Sequence, residues 1–235
     1  MKILVIIFLC LIFEFSSGQG FHYPSIIPKG NSIHDFVPKG WKILKSKKGD
    51  LNSDNYNDIA LVLQHRDSVS LIKDEDGFSD TVITQPRILV IAFFNNATKQ
   101  YDLIEQSNSF ILSYDNPSMD FPFQNISIVN QILQIDFSIF YNMGSWETST
   151  NNYKFRFQDN KFKLIGADYN STMRNTGEIE NRSYNFLTKK VKITTGNIEN
   201  DQQKTRWKPF SCKELKTFKN FTQPFTWEVE KDFFI

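Results

Sequence analysis

The stretch "YKFRFQDNKFKLIGA", residues 153–167, places two alternating apolar runs on either side of one turn signal, Asp159-Asn160. A two-residue turn at this point pairs Phe157 with Phe162 and Phe155 with Leu164, so the large apolar side chains share one face. Asp and Asn tolerate the positive φ values that a type I′ turn requires. The stretch therefore predicts an antiparallel β-hairpin with one buried face.

A second hairpin is predicted by "ISIVNQILQIDFSI", residues 126–139. A turn at Asn130-Gln131 pairs Ile128 with Leu133, and the second strand then alternates strictly between apolar and polar residues. Its apolar face is formed by Leu133, Ile135, Phe137 and Ile139. The polar face is formed by Gln134, Asp136 and Ser138.

The remaining strand signals are shorter. The apolar run "RILVIAFF", residues 87–94, has strand length and no alternation, which indicates a central strand buried on both faces. Turn residues 95–98 lead from it into a partner strand at residues 101–104. Further strands are predicted at 41–45, 59–63, 184–187, 191–195 and 225–230.

Two short helices and one long loop complete the prediction. One helical turn is expected at residues 32–36, where Pro38 stops it, and a short helix at residues 212–221. The hydrophilic span 64–85 is expected to be a solvated loop. The fold class is therefore all-β or β-dominated, with antiparallel hairpins forming a sandwich- or partial-barrel-like sheet core.

The N-terminus has the pattern of a secretory signal peptide. Lys2 supplies the positive charge, residues 3–13 are apolar, and Ser16-Ser17-Gly18 offers small residues for cleavage after Gly18. An N-terminal membrane anchor is the alternative, but a span needs about 18 apolar residues. We expect an exported protein, periplasmic or secreted, with no transmembrane segment after cleavage. Residues 19–235 then form a single β-rich domain, with a lead-in at 19–40 and a calcium-loop unit at 41–64.

Charge and cysteine content limit the possible partners and cross-links. The chain has 27 Lys and Arg against 26 Asp and Glu, so nothing in its charge favours nucleic acid. Removal of the signal peptide also removes Cys10 and leaves Cys212 as the one cysteine. No intrachain disulfide can then form in the oxidising destination, and a metal ion would be a natural substitute.

A candidate metal loop lies in "GDLNSDNYNDIALVL", residues 49–63. The side chains of Asp50, Asn52, Asp54 and Asp58 take positions 1, 3, 5 and 9, and Tyr56 at position 7 would contribute its backbone carbonyl. These are the hard oxygen donors that calcium prefers.

Two further positions define the type of loop. Asn55 occupies position 6, where the sharp turn favours a residue that tolerates a left-handed conformation. Position 12, which would be Glu in an EF-hand, is Leu61 in an apolar strand, so the EF-hand is excluded.

The arrangement strand, D-x-N-x-D-N-x-x-D, strand resembles the calcium loop of FG-GAP and VCBS-type modules. The resemblance covers residues 41–64 and implies Asp50, Asn52, Asp54, Asp58 and the Tyr56 carbonyl as ligands. Asn55 stands where those loops have Gly. More loosely, "PKGW" at 38–41 and "LIGA" at 164–167 are similar to segments of exported Bacteroidetes proteins, for which the resemblance implies no activity.

The same residues have a simpler interpretation. Asp and Asn side chains also form Asx-turns, in which they accept hydrogen bonds from nearby backbone N–H groups without any metal. Lys45, Lys47 and Lys48 precede the loop and would relieve part of the repulsion between its carboxylates. Metal binding and Asx-turns both remain open from the sequence.

Catalytic signatures are weak. The three histidines, His22, His34 and His65, are scattered without zinc-ligand spacing. Asp168, Glu178 and Glu180 offer carboxylates of the kind used by glycosidases, but their presence alone decides nothing.

Two other residues have a structural and a functional interpretation. Cys212 has no nearby histidine and is expected to be a buried apolar residue rather than a nucleophile. Trp146 in "NMGSWETSTNNY", residues 142–153, is expected either on a sugar- or peptide-binding surface or folded back on the core.

Together, these features predict an exported, non-enzymatic β-rich protein that one structural Ca²⁺ ion stabilises. It would act as a binding module for an unknown extracytoplasmic protein or glycan. The alternatives are a secreted carbohydrate-active hydrolase with a structural calcium site, and an outer-membrane barrel.

Overall fold

The computed structural model describes residues 21–75 and 78–235. The predicted signal peptide, residues 1–18, therefore lies outside the described residues. The strands in chain order are β1 (Lys29–Gly30), β2 (Trp41–Gly49), β3 (Asp58–His65), β4 (Val69–Glu75), β5 (Phe78–Thr84), β6 (Arg87–Asn95), β7 (Gln100–Ser107), β8 (Phe123–Val129), β9 (Ile132–Phe140), β10 (Glu147–Gln158), β11 (Lys161–Met173), β12 (Glu178–Asn185), β13 (Lys190–Asn197), β14 (Asn200–Pro209), β15 (Glu228–Glu230) and β16 (Phe233–Phe234).

Most strands belong to two antiparallel sheets. A five-stranded sheet has the order β1-β7-β6-β3-β2, and a seven-stranded sheet has the order β14-β13-β12-β11-β10-β9-β8. Because every strand of the larger sheet pairs with its neighbour in sequence, that sheet is a meander of consecutive hairpins. The β-dominated fold class predicted from the sequence is confirmed.

The two predicted hairpin registers are confirmed residue by residue. Phe157 pairs with Phe162 across the β10–β11 turn, and Ile128 pairs with Leu133 across the β8–β9 turn. Asp159 and Asn160 have φ values of 50° and 59°, as a type I′ turn requires. The hairpin between β12 and β13 and the turn from β6 into β7 are also present.

An apolar core joins the two sheets face to face. In the five-stranded sheet, Ala60, Val62 and Leu89 point into this core, and Phe93 reaches across to Phe157 with ring centroids 4.8 Å apart. The seven-stranded sheet contributes the inward-facing residues of its hairpins, including Leu133, Ile135, Phe137, Phe155, Phe162 and Leu164. Burial of each such side chain contributes about 1.5–3 kcal/mol.

The N-terminal segment forms a second core on the other face of the five-stranded sheet. Ile26, Phe36 and Trp41 pack there against Ile59, Leu61, Leu63, Ile88, Val90 and Ala92. Strands β3 and β6 are therefore covered on both faces, which confirms the central position predicted for β6. The predicted helical turn is a 3₁₀ helix at Ile33–Phe36, and it brings Phe36 into this second core.

Two predictions about irregular segments are wrong. The span 64–85 contains a two-stranded hairpin of β4 and β5 rather than only a solvated loop, although Asp76-Gly77 lie outside the described residues. Ile72 and Ile83 of this hairpin are exposed, so these apolar residues do not mark a buried face.

The helix predicted at residues 212–221 is also absent. Thr217 instead forms a bridge with Lys163 of β11, and Phe218 and Phe221 pack into the intersheet core. The predicted last strand is shorter than expected and forms a small hairpin of β15 and β16.

Candidate functional site

The predicted metal loop connects β2 to β3 and is anchored at both ends. Leu51 inserts into the intersheet core, where it is fully buried. Gly49 packs so closely against β8 that a Cβ at this position would lie 2.6 Å from Ile128 Cγ2. These two contacts hold the loop against the edge where the two sheets meet.

Asp50 organises the backbone of the loop. Its carboxylate accepts hydrogen bonds from four successive backbone N–H groups, those of residues 52, 53, 54 and 55, at 2.7–3.3 Å. Such a cage of N–H groups stabilises a negative charge and curls the chain into a tight turn. The turn requires left-handed conformations at Ser53, with φ 68°, and at Asn55, with φ 67°. The conformation predicted for Asn55 is confirmed.

Asn52 and Asp54 lie side by side within this turn. The Asn52 amide donates to Asp54 Oδ2 at 2.9 Å, and Asp54 Oδ1 accepts from the Tyr56 N–H at 2.8 Å. Both side chains therefore make the short-range contacts of Asx-turns. The ring of Tyr56 packs against Phe94 with centroids 5.9 Å apart.

Asp58 differs from the other predicted ligands because it is 0% exposed. Its Oδ2 accepts the Leu51 N–H at 2.8 Å and its Oδ1 accepts the Phe94 N–H at 3.0 Å. Burial raises the pKa of Asp58 to about 6, an effect that the two hydrogen bonds oppose and the charges of Asp54 and Asp50 reinforce. The side chain thus links the loop to strand β6.

The loop carboxylates take part in none of the ion pairs found among the described residues. Within the described residues, no ion pair joins Asp50, Asp54 or Asp58 to a lysine or arginine, and Lys45, Lys47 and Lys48 make none with them. The relief of repulsion predicted for these lysines therefore does not come from direct ion pairs.

The loop fits calcium in the chemistry of its donors. Calcium would be held by Asp50, Asn52, Asp54, Asp58 and the Tyr56 carbonyl, all oxygen donors, and each carboxylate oxygen can accept more than one bond. Across residues 21–75 and 78–235, however, no three His, Cys, Asp or Glu side chains are grouped around one metal position. Calcium binding therefore stays a prediction.

Of the three carboxylates considered for glycoside hydrolysis, Asp168 is separated from Glu178 and Glu180, which line one hollow together. Asp168 lies on the outer face of the seven-stranded sheet, where it pairs with Lys154 at 2.5 Å and accepts from Ser183. Glu180 lies on the inner face and pairs with Arg182 at 2.5 Å. Asp168 and Glu180 therefore cannot flank one bond.

Cys212 and Trp146 have different environments. Cys212 is buried, its thiol donates to the Glu214 carbonyl at 3.1 Å, and burial raises its pKa. Trp146 is 62% exposed and is not folded back on the core. Its carbonyl accepts from Arg174, whose guanidinium lies 4.4 Å from the ring centre of Phe140.

A cleft on the inner face of the seven-stranded sheet was not predicted from the sequence. Two hollows, of about 500 Å³ and about 360 Å³, are both lined by Glu147 and Tyr169. The Tyr169 hydroxyl donates to Glu147, and burial together with this hydrogen bond raises the pKa of Tyr169 to about 12. The sequence signal for this cleft is that inward-facing positions such as Ser149 and Asn151 are polar. Only the strand register shows that these positions lie together.

Comparisons with known proteins add no relative. No protein family, curated protein or solved structure matches this chain. The resemblance of residues 41–64 to FG-GAP and VCBS-type loops stays a prediction from the motif. The described part of the chain holds no helix of the length and hydrophobicity that crossing a membrane takes.

Proposed function

We propose that this chain is an exported, non-enzymatic binding module whose β-sandwich is stabilised by one calcium ion at residues 50–58. Its partner is an extracytoplasmic protein or glycan. The observation that carries the proposal is the loop itself: three carboxylates lie within nine residues, and no described lysine or arginine pairs with them.

The electrostatics of the loop support a cation. Two like charges a few ångströms apart repel by about 1–4 kcal/mol, depending on the local dielectric. Asp50 and Asp54 both raise the pKa of Asp58, so their charges disfavour ionisation of the Asp58 carboxylate. A bound calcium ion would supply the compensating charge and a cross-link between β2 and β3 that no disulfide provides.

The proposed role of calcium is structural. Extracellular calcium modules bind with Kd on the order of 10⁻⁴–10⁻³ M, which is suited to a calcium-rich medium rather than to sensing. At about ten to one hundred times Kd, the ion would add about 1–3 kcal/mol to the free energy of unfolding.

Thermal unfolding tests the proposal. We expect the wild type to melt at a higher temperature in millimolar calcium than in excess chelator, and Asp54→Asn to lose that difference. Asp67→Asn, which removes the same charge from an exposed site outside the loop, is the matched control and should keep it. A wild-type midpoint that does not respond to calcium would contradict the proposal.

A hydrolase is the second candidate function. Glu147, Glu178 and Glu180 line the smaller hollow together, and carbohydrate hydrolysis uses carboxylates on two sides of the scissile bond. A panel of chromogenic glycosides separates the two functions. If the wild type hydrolyses a glycoside and Glu178→Gln abolishes that turnover while still folding normally, the hydrolase becomes the supported function.

A further inference from the structure

The inner face of the seven-stranded sheet changes from apolar to polar at the same level on three adjacent strands. On β10, the inward-facing residues run from Phe155 and Tyr153 to Asn151 and Ser149. Strands β11 and β12 show the same change at the same level. Their inward-facing residues pair in the order Ala167 with Tyr184, Tyr169 with Arg182, and Ser171 with Glu180.

Packing alone does not account for this change. The inner face of a β-sandwich is ordinarily apolar, and a buried polar group is costly unless it is hydrogen-bonded. Ser149, Asn151 and Ser171 are nevertheless only 7%, 3% and 8% exposed. A polar patch at this depth is typical of a binding surface, where polar groups fix the orientation of a ligand.

Space for a ligand adjoins the polar patch. The larger hollow lies between the sheet and residues of the segments 112–119 and 223–226, and the smaller one extends along β11, β12 and β13. Volumes of about 500 Å³ and about 360 Å³ are in the range of small-molecule sites. Glu147 and Tyr169 line both hollows, so one extended ligand could contact both.

One buried hydroxyl in the cleft has unused hydrogen-bonding capacity. The Ser149 hydroxyl accepts from the Asn151 amide at 3.0 Å and lines the larger hollow. Within the part of the chain that the structure describes, its own O–H has no acceptor. Ser171, by contrast, donates to the Glu180 carbonyl at 3.3 Å. An acceptor on a ligand in the larger hollow would complete the hydrogen bonding of Ser149.

The lining favours an uncharged ligand with many hydroxyl groups. Arg182 compensates the charge of Glu180, and Glu147 accepts from the neutral Tyr169 hydroxyl, so both carboxylates keep acceptor capacity for ligand hydroxyls. Tyr141 and Phe225 add aromatic rings to the larger hollow. Sugars match this combination because their hydroxyls donate and accept together, and their C–H faces pack on aromatic rings.

We propose that the cleft around Glu147 and Tyr169 binds a neutral oligosaccharide, with Glu147 accepting from a sugar hydroxyl and Ser149 donating to one. This proposal rests on the binding role proposed above and names the ligand class and its site. It assigns no chemistry to the cleft: the ligand is held and not cleaved.

Isothermal titration with defined probes tests the site. The full mature chain is titrated with cellohexaose, xylohexaose, mannohexaose and laminarihexaose, and with hexalysine as the cationic alternative. We expect at least one hexasaccharide to bind, and Glu147→Gln and Ser149→Ala each to weaken that binding about tenfold or more. Glu214→Gln and Ser183→Ala are matched controls outside the cleft and should bind as the wild type does.

Each contrary outcome overturns the inference. The inference is contradicted if none of the four hexasaccharides binds, or if the cleft variants bind them as the wild type does. It is also contradicted if hexalysine binds and Glu147→Gln abolishes that binding. Equal thermal midpoints of the cleft variants and their controls show that lost binding is not lost folding. If both cleft variants bind the sugar as tightly as the wild type, the proposed binding function is retained but this site is excluded. Thermal melts with calcium test the loop independently.

Discussion

The Asp58 carboxylate accepts a hydrogen bond from the backbone N–H of Phe94, 36 residues later in the chain. Strands β3 and β6 pair through their backbones as far as Ile59 and Ala92, and Asp58 continues the ladder with its side chain. Its second oxygen accepts from Leu51 inside the loop. One buried carboxylate therefore connects the loop, its own strand and the neighbouring strand, whether or not a cation is bound.

Asp58→Asn should destabilise the protein even in excess chelator. An Asn amide would present an N–H₂ group to one of two backbone N–H donors, which leaves a buried donor without an acceptor at a cost of about 1–3 kcal/mol. Chemical denaturation in chelator measures this loss as a change in the free energy of unfolding.

Asp54→Asn is the matched control in the same loop. Asp54 is exposed, its Oδ1 can be replaced by the Asn oxygen, and the hydrogen bond lost from the Asn52 amide to Oδ2 is exposed to solvent. We therefore expect a change within about 0.5 kcal/mol in chelator. Equal losses for the two variants would show that Asp58 has no special structural role.

Gly49→Ala should also be destabilising, for a steric reason. The new Cβ would lie 2.6 Å from Ile128 Cγ2, and the edge strands β2 and β8 would have to separate, at about 1–3 kcal/mol. Gly144→Ala is not a suitable control for this clash. No atom lies within 4 Å of the Cβ position at Gly144, but its φ of +87° would itself strain an alanine. The double variant Gly49→Ala with Ile128→Ala is the direct check, since the two losses should be less than additive.

The hairpins could be predicted from the sequence because their information is local. Alternation with period two fixes which side chains share a face, and one turn residue pair fixes the register, as at Asp159-Asn160. The two-sided burial of β6 followed from its continuous apolar run for the same reason.

What could not be predicted depends on contacts between distant segments. Phe218 and Phe221 have helix-like spacing but are placed by the intersheet core and by the bridge of Thr217 to Lys163. The alternation of β4 and β5 is blurred because Ile72 and Ile83 face solvent. In the loop, the residue types predicted a site role for Asp58. Its hydrogen bond from the Phe94 N–H could not be predicted, because that contact depends on the pairing of β3 with β6.

Glu230 allows a prediction of pH dependence. Burial alone would raise the pKa of Glu230, but hydrogen bonds from Lys208 and Tyr184 and the charges of Lys208 and Arg182 lower it below 4.5. The unfolded chain then binds more protons than the folded protein between these two pKa values, so the stabilisation is present above pH 4.5 and lost as the pH falls through the folded pKa.

Glu230→Gln should therefore reduce the free energy of unfolding by about 1–3 kcal/mol at pH 7, because Arg182 and Lys208 lose a charged partner. The difference from the wild type should shrink as the solution is acidified below pH 4.5. Glu199→Gln, at an exposed position, is the control and should show no such trend. A difference that is constant from pH 7 to acid would contradict the assigned ionic role.

Gln131→Gly should stabilise the β8–β9 hairpin. Gln131 has φ 57°, in the left-handed region that costs a residue with a side chain about 1–2 kcal/mol and glycine little. Glycine also has more freedom to lose on folding, so we expect a net gain of about 0.5–1 kcal/mol. Thermal denaturation of Gln131→Gly beside Gln131→Ala checks this, and a lower midpoint for the glycine variant would contradict the turn assignment.

The most direct test of the calcium proposal is a crystal structure of the mature protein grown in millimolar calcium. We predict one ion bound by Asp50, Asn52, Asp54, Asp58 and the Tyr56 carbonyl, with oxygen distances of about 2.3–2.6 Å. Electron density that shows only water between these groups, with Asp50 and Asp54 still engaged solely by the loop N–H groups, would contradict it.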